Sequence, residues 1–352
     1  MSGVRARADR PVNLAVVGLG YWGPNLVRNL VELPTAEVCC ACDPRSEALT
    51  AIARRYPGVR TEEDFSGVLE DPAIEAVVLA TPVSTHYQLA VAALDAGKHV
   101  FVEKPLAESS THAADLISRA DGSGLVLMPG HTFLYSPPVN LARDLIGRGE
   151  LGEIYFISTS RVNLGLHQRD VSVVWDLAPH DFSILRYWLD EAPVRVSAIS
   201  RGCVDPNTAD VAFIDLEFRS GAIAHVEIAW LAPSKLRRTA VIGSEKMLVY
   251  DDTSNEQIRI FDSGAALPDP ESFGEYQLSY RTGDIVSPHL ESHEPLSLEL
   301  ADFCEAVRTG SEPRSSSALG LDVVAMTEAV DRSLDAGGLP VPVEPAVAQA
   351  TG

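Results

Sequence analysis

Residues 12–23 read VNLAVVGLGYWG, and this stretch decides the fold of the first part of the chain. Residues 12–17 have the length and the β-branched content of a buried strand. The strand leads directly into Gly18, Gly20 and Gly23, the G-x-G-x-x-G spacing, and apolar residues then recur at helical spacing. In this motif the first glycine allows a tight turn, the second lets the backbone approach a pyrophosphate, and the third lets the helix pack on the strand. The order of strand, glycine loop and helix therefore predicts a dinucleotide-binding unit, with the phosphates at the helix N-terminus.

A carboxylate follows the next predicted strand, residues 36–42. Asp43 lies about 20 residues beyond Gly23, where the dinucleotide fingerprint places an acid on the ribose hydroxyls. Because a carboxylate there repels the additional phosphate of NADP, we expect NAD as the cofactor. Arg45 nearby leaves NADP open as a second cofactor. The alternative role of Asp43 is to cap the helix that is predicted to start near Ser46.

Strands and helices alternate along the chain up to His131. The strand-like runs are residues 12–17, 36–42, 75–80, 99–102 and 125–128. This alternation predicts parallel βαβ units in a doubly wound α/β sheet. Ligands of such sheets bind beyond the carboxyl ends of the strands. Two loops that directly follow strands, Thr81-Pro82 and Glu103-Lys104-Pro105, are therefore expected to face the cofactor.

After His131 the pattern becomes strand after strand with short turns, which is typical of a largely antiparallel sheet. One helix, predicted over residues 182–188, interrupts these strands. Residues 252–295 are predicted to form an extended loop, and two helices close the chain. We therefore expect two domains, residues 11–131 and residues 132–340, with the last helix able to pack back onto the first. Because one face of an open sheet needs cover, we also expect a homo-oligomer.

Composition limits the classes of partner and compartment. The 352 residues carry a formal net charge of −21, which repels nucleic acid and anionic membranes. We find no apolar run of membrane-spanning length, and the basic N-terminus lacks the apolar segment of a secretory signal. The five cysteines are an odd number without zinc spacing, and the histidines are scattered. We therefore expect reduced thiols, a cytoplasmic protein and no metal.

Lys104 is the first residue that can carry chemistry. It follows a predicted core strand in the sequence VFVEKP, and Pro105 stops that strand. An ammonium group held there can donate a hydrogen bond to a substrate oxygen and stabilise alkoxide character as a hydride leaves carbon. It can also take part in proton transfer. The alternative is a surface lysine paired with Glu103.

Asp176 and His180 form the second constellation. Residues four apart share a helix face, and a carboxylate that orients an imidazole is an arrangement suited to proton transfer. Pro179 favours a helix that starts near Pro179, so that Asp176 lies just before it. The alternatives are a helix cap for Asp176 and a hydrogen-bonded core histidine for His180.

Together these elements resemble the Gfo/Idh/MocA (glucose–fructose oxidoreductase/inositol dehydrogenase) family. The resemblance rests on GLGYWG at 18–23, Asp43, TPVSTH at 81–86, VEKP at 102–105, and Asp176 with His180. It implies an N-terminal Rossmann domain and a C-terminal α+β domain whose large, mostly antiparallel open sheet serves oligomerisation as a dimer or tetramer. It also implies NAD as cofactor and reversible hydride transfer at a secondary alcohol of a sugar or cyclitol.

The same resemblance implies roles for single residues. Lys104 is similar to the family's catalytic lysine, His180 to its acid/base histidine, and Asp176 to the supporting carboxylate. The expected cofactor contacts, besides Gly18, Gly20, Gly23 and Asp43, are Thr81, Pro82, His86, Glu103 and Lys104. Tyr21 and Trp22 have two interpretations, packing at the helix start or contact with the cofactor. The chain departs from many members around the histidine: it has Ala178 in place of a glycine, Ser183 in place of an acid, and Asp181 directly after His180.

Further candidates for substrate binding follow a strand of the second domain. Arg161, Asn163 and His167 are expected to line a sugar pocket together with Lys104, Asp176 and His180. Another basic cluster has two interpretations that the sequence supports about equally. It either contacts the pyrophosphate of a nucleotide sugar or forms a solvated surface patch. Its members are Lys235, Arg237 and Arg238.

The sequence thus predicts an NAD-dependent oxidoreductase acting on a ring alcohol, with carbon C3 as the specific expectation. The motifs GYWGPNL and WDLAPHD resemble those of a subgroup of the family that acts in amino-sugar and nucleotide-sugar pathways. This resemblance extends the expectation to aminoglycoside biosynthesis. Three alternatives stay open. They are an inositol or cyclitol dehydrogenase, an NAD-using glycosidase without net redox change, and a non-catalytic dinucleotide-binding regulator.

Overall fold

The structure is a computed structural model that describes residues 10–165, 171–266, 279–281 and 283–344. It divides the chain into two units. The first comprises the described residues up to Tyr135 together with residues 293–325, and the second the described residues from Ser136 to Ser292 together with residues 326–344. The sequence placed the change of pattern at His131, close to this division. It assigned residues 293–325 to the second domain and expected the last helix alone to pack back onto the first, whereas the structure groups this whole segment with the first unit.

The first unit is built on a six-stranded sheet with the order β3-β2-β1-β4-β5-β6, in which all neighbours run parallel. The strands are β1 (Val12–Val17), β2 (Ala36–Cys42), β3 (Arg60–Glu62), β4 (Ala76–Leu79), β5 (His99–Glu103) and β6 (Leu127–Gly130). The central strands β1 and β4 are buried on both faces, as expected where helices cover both sides of a parallel sheet. The strand order reverses between β1 and β4, so the carboxyl ends of these strands are where such a sheet binds ligands.

The second unit is built on a nine-stranded sheet with the order β16-β13-β12-β11-β7-β10-β9-β8-β17. Its neighbours run antiparallel except for the central pair β7 and β10. The strands are β7 (Ile154–Leu164), β8 (Arg195–Arg201), β9 (Val211–Glu217), β10 (Ile223–Ala229), β11 (Leu231–Gly243), β12 (Met247–Asp251), β13 (Ile258–Phe261), β16 (Ile285–Val286) and β17 (Val341–Pro342), with β14 (Gly264–Ala266) and β15 (Ser279–Arg281) forming a separate pair. These two sheets confirm the predicted α/β fold.

The helices flank the two sheets. They are α1 (Gly23–Glu32), α2 (Ser46–Arg55), α3 (Phe65–Glu70), α4 (Val83–Asp95), α5 (Ser110–Ser123), α6 (Pro137–Gly147), α7 (Val173–Leu189), α8 (Pro295–Thr309) and α9 (Ser317–Asp335), and a 3-10 helix covers Thr132–Tyr135. Local sequence sets their ends: α5 begins where the Ser109 hydroxyl accepts the His112 N–H at 3.2 Å, and it ends at Gly124 with a φ of 65°. Within the described ranges, no helix is both long and apolar enough to cross a lipid bilayer.

Two features of the second unit differ from the sequence expectation. Helix α7 begins at Val173 rather than near Pro179, so Asp176 lies in its first turn and not before it. Strands β13, β14, β15 and β16 lie within residues 252–295, where we expected a loop. All four are short: β13 and β16 add to the edge of the sheet that β11 and β12 extend, and β14 pairs with β15. Short edge strands carry little periodicity, which is why the pattern did not predict them.

Candidate cofactor and catalytic site

The glycine loop between β1 and α1 has the geometry of a dinucleotide cradle. Gly18 has a φ of +89°, and a Cβ there would lie 2.5 Å from the carbonyl oxygen of Ala80. A Cβ on Gly23 would lie 2.1 Å from the carbonyl oxygen of Gly18, so the third glycine is needed for close packing. A Cβ on Gly20 would meet nothing within 4 Å. The surface over Gly20 is therefore open, and the loop fits a pyrophosphate at the start of α1.

Tyr21 and Trp22 stand at the same helix start. Their side chains are 77% and 43% exposed, and their rings meet edge to face with centroids 5.4 Å apart. Trp22 occupies the N-cap position of α1, where its side chain makes no capping hydrogen bond. Both rings are thus accessible beside the glycine loop, and their contact with a cofactor stays a prediction.

Asp43 ends up buried at the carboxyl end of β2. Its Oδ2 accepts the N–H of Leu19, inside the glycine loop, at 2.7 Å. Hydrogen bonds from the Arg45 side chain, together with backbone N–H groups, lower the pKa of Asp43 to about 2 despite its burial. Helix α2 starts at Ser46 with Arg45 as its N-cap residue and without a side-chain cap. Asp43 is therefore a carboxylate tied to the glycine loop, and its Oδ1 also accepts the backbone N–H of Arg45, the N-cap residue of α2, at 2.9 Å.

His86 lies in the first turns of α4, between two loops at the carboxyl edge of the sheet. Its Nε2 lies 2.9 Å from the carbonyl oxygen of Thr81, and its Nδ1 lies 2.9 Å from that of Pro105. The residue is 1% exposed, and burial lowers the pKa of its imidazole. We expected His86 to contact the cofactor. The structure instead uses both ring nitrogens on the protein's own backbone, where they join the Thr81-Pro82 loop to the Glu103-Lys104-Pro105 loop.

Glu103 and Lys104 stand at the end of β5. Glu103 is the last residue of the strand and is buried, and Lys104 follows it half-buried. Burial raises the pKa of Glu103 to about 7, although the Lys104 ammonium opposes the rise. The charge of Lys104 therefore acts on a buried carboxyl group. Neither residue is exposed, so the alternative of a surface lysine paired with Glu103 does not describe this site.

Two buried residues that the sequence analysis missed complete this corner. Glu299 of α8 is fully buried, and its Oε2 accepts the hydroxyl of Thr132 at 2.7 Å. Burial, and then the charge of Glu103, raise the pKa of Glu299 well above its ordinary value. His131 follows β6 and is 1% exposed, and burial followed by the charge of Lys104 lowers its pKa to about 3.

A sequence signal for Glu299 existed. Leu296, Leu300 and Phe303 form the buried stripe of α8, and Glu299 lies on that same stripe. An acid in the middle of an apolar helix face is unusual, since carboxylates are almost never fully buried without a partner. What the sequence does not give is that this helix packs on the 3-10 helix after β6, which brings Glu299 to the Thr132 hydroxyl.

The raised pKa of Glu103 predicts that the protein loses stability as the pH rises. The unfolded chain releases this proton near pH 4.5, whereas the folded protein keeps it until about pH 7. Below 4.5 the stabilisation is fully present, and it is lost through this window because the folded state binds more protons than the unfolded state. We expect the unfolding free energy to fall by about 3 kcal/mol from this group. Urea unfolding at about pH 5 and about pH 8 measures the slope. Glu103→Gln should remove this part of the slope, and an unchanged slope in that variant would contradict the assignment.

Asp176 and His180 lie in the second unit on one face of α7. Asp176 Oδ2 accepts the indole N–H of Trp230 at 3.0 Å, and Trp230 is 1% exposed. His180 lies one helical turn further on, and its carbonyl oxygen accepts the hydroxyl of Ser183 at 2.9 Å. The helix continues through Pro179, which cannot supply an N–H to the carbonyl one turn before it. The carboxylate and the imidazole are thus on one helical face.

Arg161 sits in a buried ion pair rather than on an open pocket wall. Its Nε lies 2.7 Å from Oδ2 of Asp181, and its Nη2 lies 3.2 Å from Oδ1 of the same carboxylate. Thr159 also donates its hydroxyl to Oδ1 at 2.9 Å. The two charged side chains are 5% and 2% exposed. This corrects our expectation of a pocket-lining arginine, and it gives Asp181, one of the departures from the family pattern, a structural partner.

The remaining candidates are spread over the second unit or lie outside the described residues. Asn163 is half-buried on β7, and its contact with a substrate stays a prediction. His167 lies outside the described residues. Of the basic cluster on β11, Lys235 and Arg238 are exposed, and Arg237 pairs with Asp252 at 3.2 Å. Among the residues that the structure describes, no three His, Cys, Asp or Glu side chains are placed together to hold a metal ion.

Comparison with known proteins agrees with both units. Residues 12–131 match the family model described as an oxidoreductase family with an NAD-binding Rossmann fold, and residues 139–249 match the GFO/IDH/MocA C-terminal domain. The chain is 30% identical to scyllo-inositol 2-dehydrogenase (NAD(+)) of Bacillus subtilis over 87% of this chain and 89% of that protein. It is 25% identical to myo-inositol 2-dehydrogenase of Thermotoga maritima, over 92% and 96% of the two chains. The crystal structure of GenD2 from gentamicin A biosynthesis in complex with NAD superposes with a TM-score of 0.80 at 25% identity, covering 95% and 97%.

Proposed function

The chain belongs to the GFO/IDH/MocA oxidoreductase family, and we propose that it is an NAD-dependent dehydrogenase acting on a secondary alcohol of a sugar ring. One observation carries the proposal. The glycine cradle, the Asp43 carboxylate and Lys104 all lie at the carboxyl edge of a single parallel sheet, after β1, β2 and β5. That edge is where a doubly wound sheet binds its ligand. A nucleotide-binding site and an ammonium group therefore share one edge within one unit.

The proposed roles follow from the chemistry of the side chains. A bound nicotinamide supplies the hydride acceptor or donor. Lys104 donates a hydrogen bond to the reacting oxygen and stabilises its negative charge as the C–H bond breaks. His180 takes the hydroxyl proton in the oxidative direction and returns it in the reductive direction. Asp176, fixed by the Trp230 indole, holds the imidazole orientation. The alcohol thus loses one hydride and one proton and becomes a ketone.

For the substrate we propose a sugar of an amino-sugar, nucleotide-sugar or aminoglycoside pathway, oxidised at C3. The likeness to GenD2 over nearly the full length of both chains supports this substrate class. A cyclitol is the second candidate, and it is favoured by the identity to scyllo-inositol 2-dehydrogenase over most of both chains. Both candidates undergo the same reaction, the oxidation of a ring CH–OH group. One assay with a panel of both compound classes can therefore distinguish them.

That assay follows NADH by its near-ultraviolet absorbance with purified protein, NAD and a substrate panel. The panel holds UDP- and dTDP-sugars, aminoglycoside fragments, and myo- and scyllo-inositol. NADH formation with one class is the expected result, and it identifies the substrate class. A change in the sugar without NADH accumulation would instead indicate internal redox, as in an NAD-using glycosidase. No turnover of any compound in either direction, with NAD bound, would favour a non-catalytic regulator over a dehydrogenase.

The indole of Trp230 offers a test of the proposed role of Asp176. Trp230→Phe removes the N–H that Asp176 accepts and keeps an aromatic ring in the buried position. We expect kcat/KM for the sugar to fall about tenfold, because a hydrogen bond to a charged group is lost. The Kd for NAD should stay unchanged, since the glycine cradle belongs to the other unit. Trp188→Phe, in which the indole donates to the carbonyl of Val139 instead, is the matched control. An equal loss in both variants would contradict the positioning role.

We also propose that the open face of the nine-stranded sheet forms the contact between copies of the chain. The residues that alternate outward on three neighbouring strands include Phe156, Phe213 and Ile223, which are 42%, 38% and 55% exposed. Large apolar side chains exposed together on one face are typical of an interface. Light scattering coupled to size exclusion measures the mass in solution. Phe213→Glu should shift a dimer or tetramer toward the monomer, and a wild-type monomer would contradict this part of the proposal.

The proposed location is the cytoplasm. All five cysteines are free, and three of them are buried. Burial raises the pKa of Cys40 to about 11 and that of Cys42 to about 12, which keeps these thiols protonated and unreactive. Free, protonated thiols support a reducing compartment. Fractionation of cells that produce the protein measures the location directly.

A further inference from the structure

The carboxylate of Asp43 accepts four N–H groups of the protein itself. Oδ2 accepts the backbone N–H of Leu19 at 2.7 Å and the Nη2 group of Arg45 at 2.8 Å. Oδ1 accepts the backbone N–H of Arg45 at 2.9 Å and its Nε–H at 2.8 Å. A carboxylate offers about four lone-pair sites. Every acceptor site of the group expected to hold the adenosine ribose is therefore filled.

The four donors differ in how easily they can move away from the Asp43 carboxylate. The two backbone N–H groups belong to the glycine loop and to the start of α2, so the fold fixes them. The two guanidinium donors belong to a side chain that is 57% exposed, whereas the Asp43 side chain is 3% exposed. The Arg45 side chain occupies one site on each carboxylate oxygen. Its departure would free one acceptor on each oxygen, which matches the two neighbouring hydroxyls of a ribose.

We propose that Arg45 competes with the adenosine ribose for Asp43 and swings off the carboxylate when a dinucleotide binds. This inference rests on the proposed function, because it needs the glycine cradle to bind a dinucleotide. Once released, the guanidinium stands beside the ribose, and Arg is the side chain best shaped to bind a phosphate through two N–H groups. Arg45 therefore weakens the binding of NAD and strengthens the binding of NADP. It narrows the preference for NAD that the Asp43 carboxylate creates.

The energetic scale favours such an exchange. An ion pair that is half-exposed on one side contributes little, because water competes for the guanidinium. The buried Asp43 carboxylate still needs donors when Arg45 leaves, and the ribose hydroxyls supply them, so the exchange replaces two hydrogen bonds with two others. A new contact between the guanidinium and a 2′-phosphate is charge-assisted and larger. Loss of Arg45 should therefore strengthen the binding of NAD and weaken the binding of NADP. The ratio of the Kd for NADP to the Kd for NAD is the most sensitive measure of both changes.

The experiment is calorimetric titration of the full chain and its variants with NAD, NADP, AMP and adenosine 2′,5′-bisphosphate at low ionic strength. The last two report the adenosine half alone, without the nicotinamide and without turnover. In Arg45→Ala we expect AMP and NAD to bind about two- to fivefold tighter. We expect the 2′-phosphorylated pair to bind about tenfold weaker. Arg60→Ala is the matched control, because Arg60 is another exposed arginine of this unit, paired with Glu62 and Asp71. Arg45→Gln repeats the test with a side chain of similar length.

Each outcome has one meaning. If Arg45→Ala weakens AMP and NAD, Arg45 is a ligand of the adenosine and the competition is overturned. If Arg45→Ala and Arg60→Ala change the four nucleotide affinities equally, the change comes from the loss of one positive charge at any position. The inference then also fails. If the wild-type protein binds none of the four nucleotides, the proposed function falls with it. If the expected pattern appears but no sugar yields NADH, the inference holds and the dehydrogenase proposal is the one that fails.

Discussion

Lys104→Ala is expected to lower kcat for the sugar by about a thousandfold while NAD still binds. The ammonium group is proposed to donate to the reacting oxygen, where negative charge develops as the hydride leaves, and loss of one such donor costs a factor of about 10²–10³. Loss of any proton transfer that Lys104 supports adds to this. The effect should appear in kcat rather than only in KM, because the interaction strengthens in the transition state. Stopped-flow measurement of NADH in single turnovers isolates the chemical step.

Two variants make this result specific. Lys104→Arg keeps the positive charge but not the compact ammonium, so it should recover only a small part of the lost rate. Lys246→Ala removes a lysine of the second unit that pairs with Glu150 and should leave kcat unchanged. Calorimetric titration with NAD shows whether the cradle is intact. Near-normal turnover of Lys104→Ala would contradict the catalytic role, and loss of NAD binding would place the residue in the cofactor site instead.

Asp181→Ala is expected to lower the unfolding free energy by about 3–5 kcal/mol. The substitution leaves the Arg161 guanidinium buried without its carboxylate, and removing one partner of a buried pair is strongly destabilising. It also removes the acceptor of the Thr159 hydroxyl, inside the same contact between β7 and α7. Urea unfolding followed by circular dichroism measures the loss. The protein should still fold at low temperature, because the large core of the sheet is retained.

Controls separate the buried pair from charge removal in general. Glu217→Ala breaks the pair between Glu217 and Arg195 on the same sheet, whose side chains are 51% and 55% exposed. An exposed pair contributes about 0–1 kcal/mol, so this variant should stay close to the wild type. The double variant Arg161→Met with Asp181→Leu should regain most of the stability, since neither charge is left alone. If Asp181→Ala unfolds no more easily than Glu217→Ala, the buried pair does not contribute the predicted stability.

The nucleotide half of the site could be predicted from the sequence because its parts are local. A strand, three glycines and a helix occupy one short stretch, and the acid follows at the end of the next strand. The spacing thus determines which groups converge, without knowledge of any distant contact. The loops after β4 and β5 were predictable for the same reason, since every parallel strand delivers its carboxyl end to one edge.

The start of α7 could not be predicted correctly from its proline. Pro179 disfavours helical backbone at the residue before it and removes one N–H, and this led us to expect a later start. The structure continues the helix because the turn before Pro179 is held by packing: Val173, Val174 and Ala178 are fully buried. Tertiary burial outweighed a local preference, and Asp176 moved from a cap position onto the helix.

The charged contacts deep in the protein were beyond sequence reasoning for another reason. Arg161 and Asp181 come from a strand and a helix, and Thr132 and Glu299 come from segments 167 positions apart in the sequence. Periodicity reports which face of an element is buried, but it does not report which element covers that face. In the sequence, a charged residue on a strand with both polar and apolar residues, such as β7, therefore looks the same whether it lines a pocket or forms a buried ion pair.

The order in which the chain is made gives the segment 293–325 a further meaning. This segment completes the first unit: α8 packs on α1, and Phe303 meets Phe101 of β5 edge to face at 5.7 Å between ring centroids. A ribosome synthesises β1 to β6 first, yet Glu299 and Phe303 follow only after every strand of the other unit except β17. Domains generally fold as units during synthesis, with the N-terminal part first. Here the nucleotide-binding half begins first but is completed only by residues 293–325, so its buried corner cannot close until most of the chain has been synthesised.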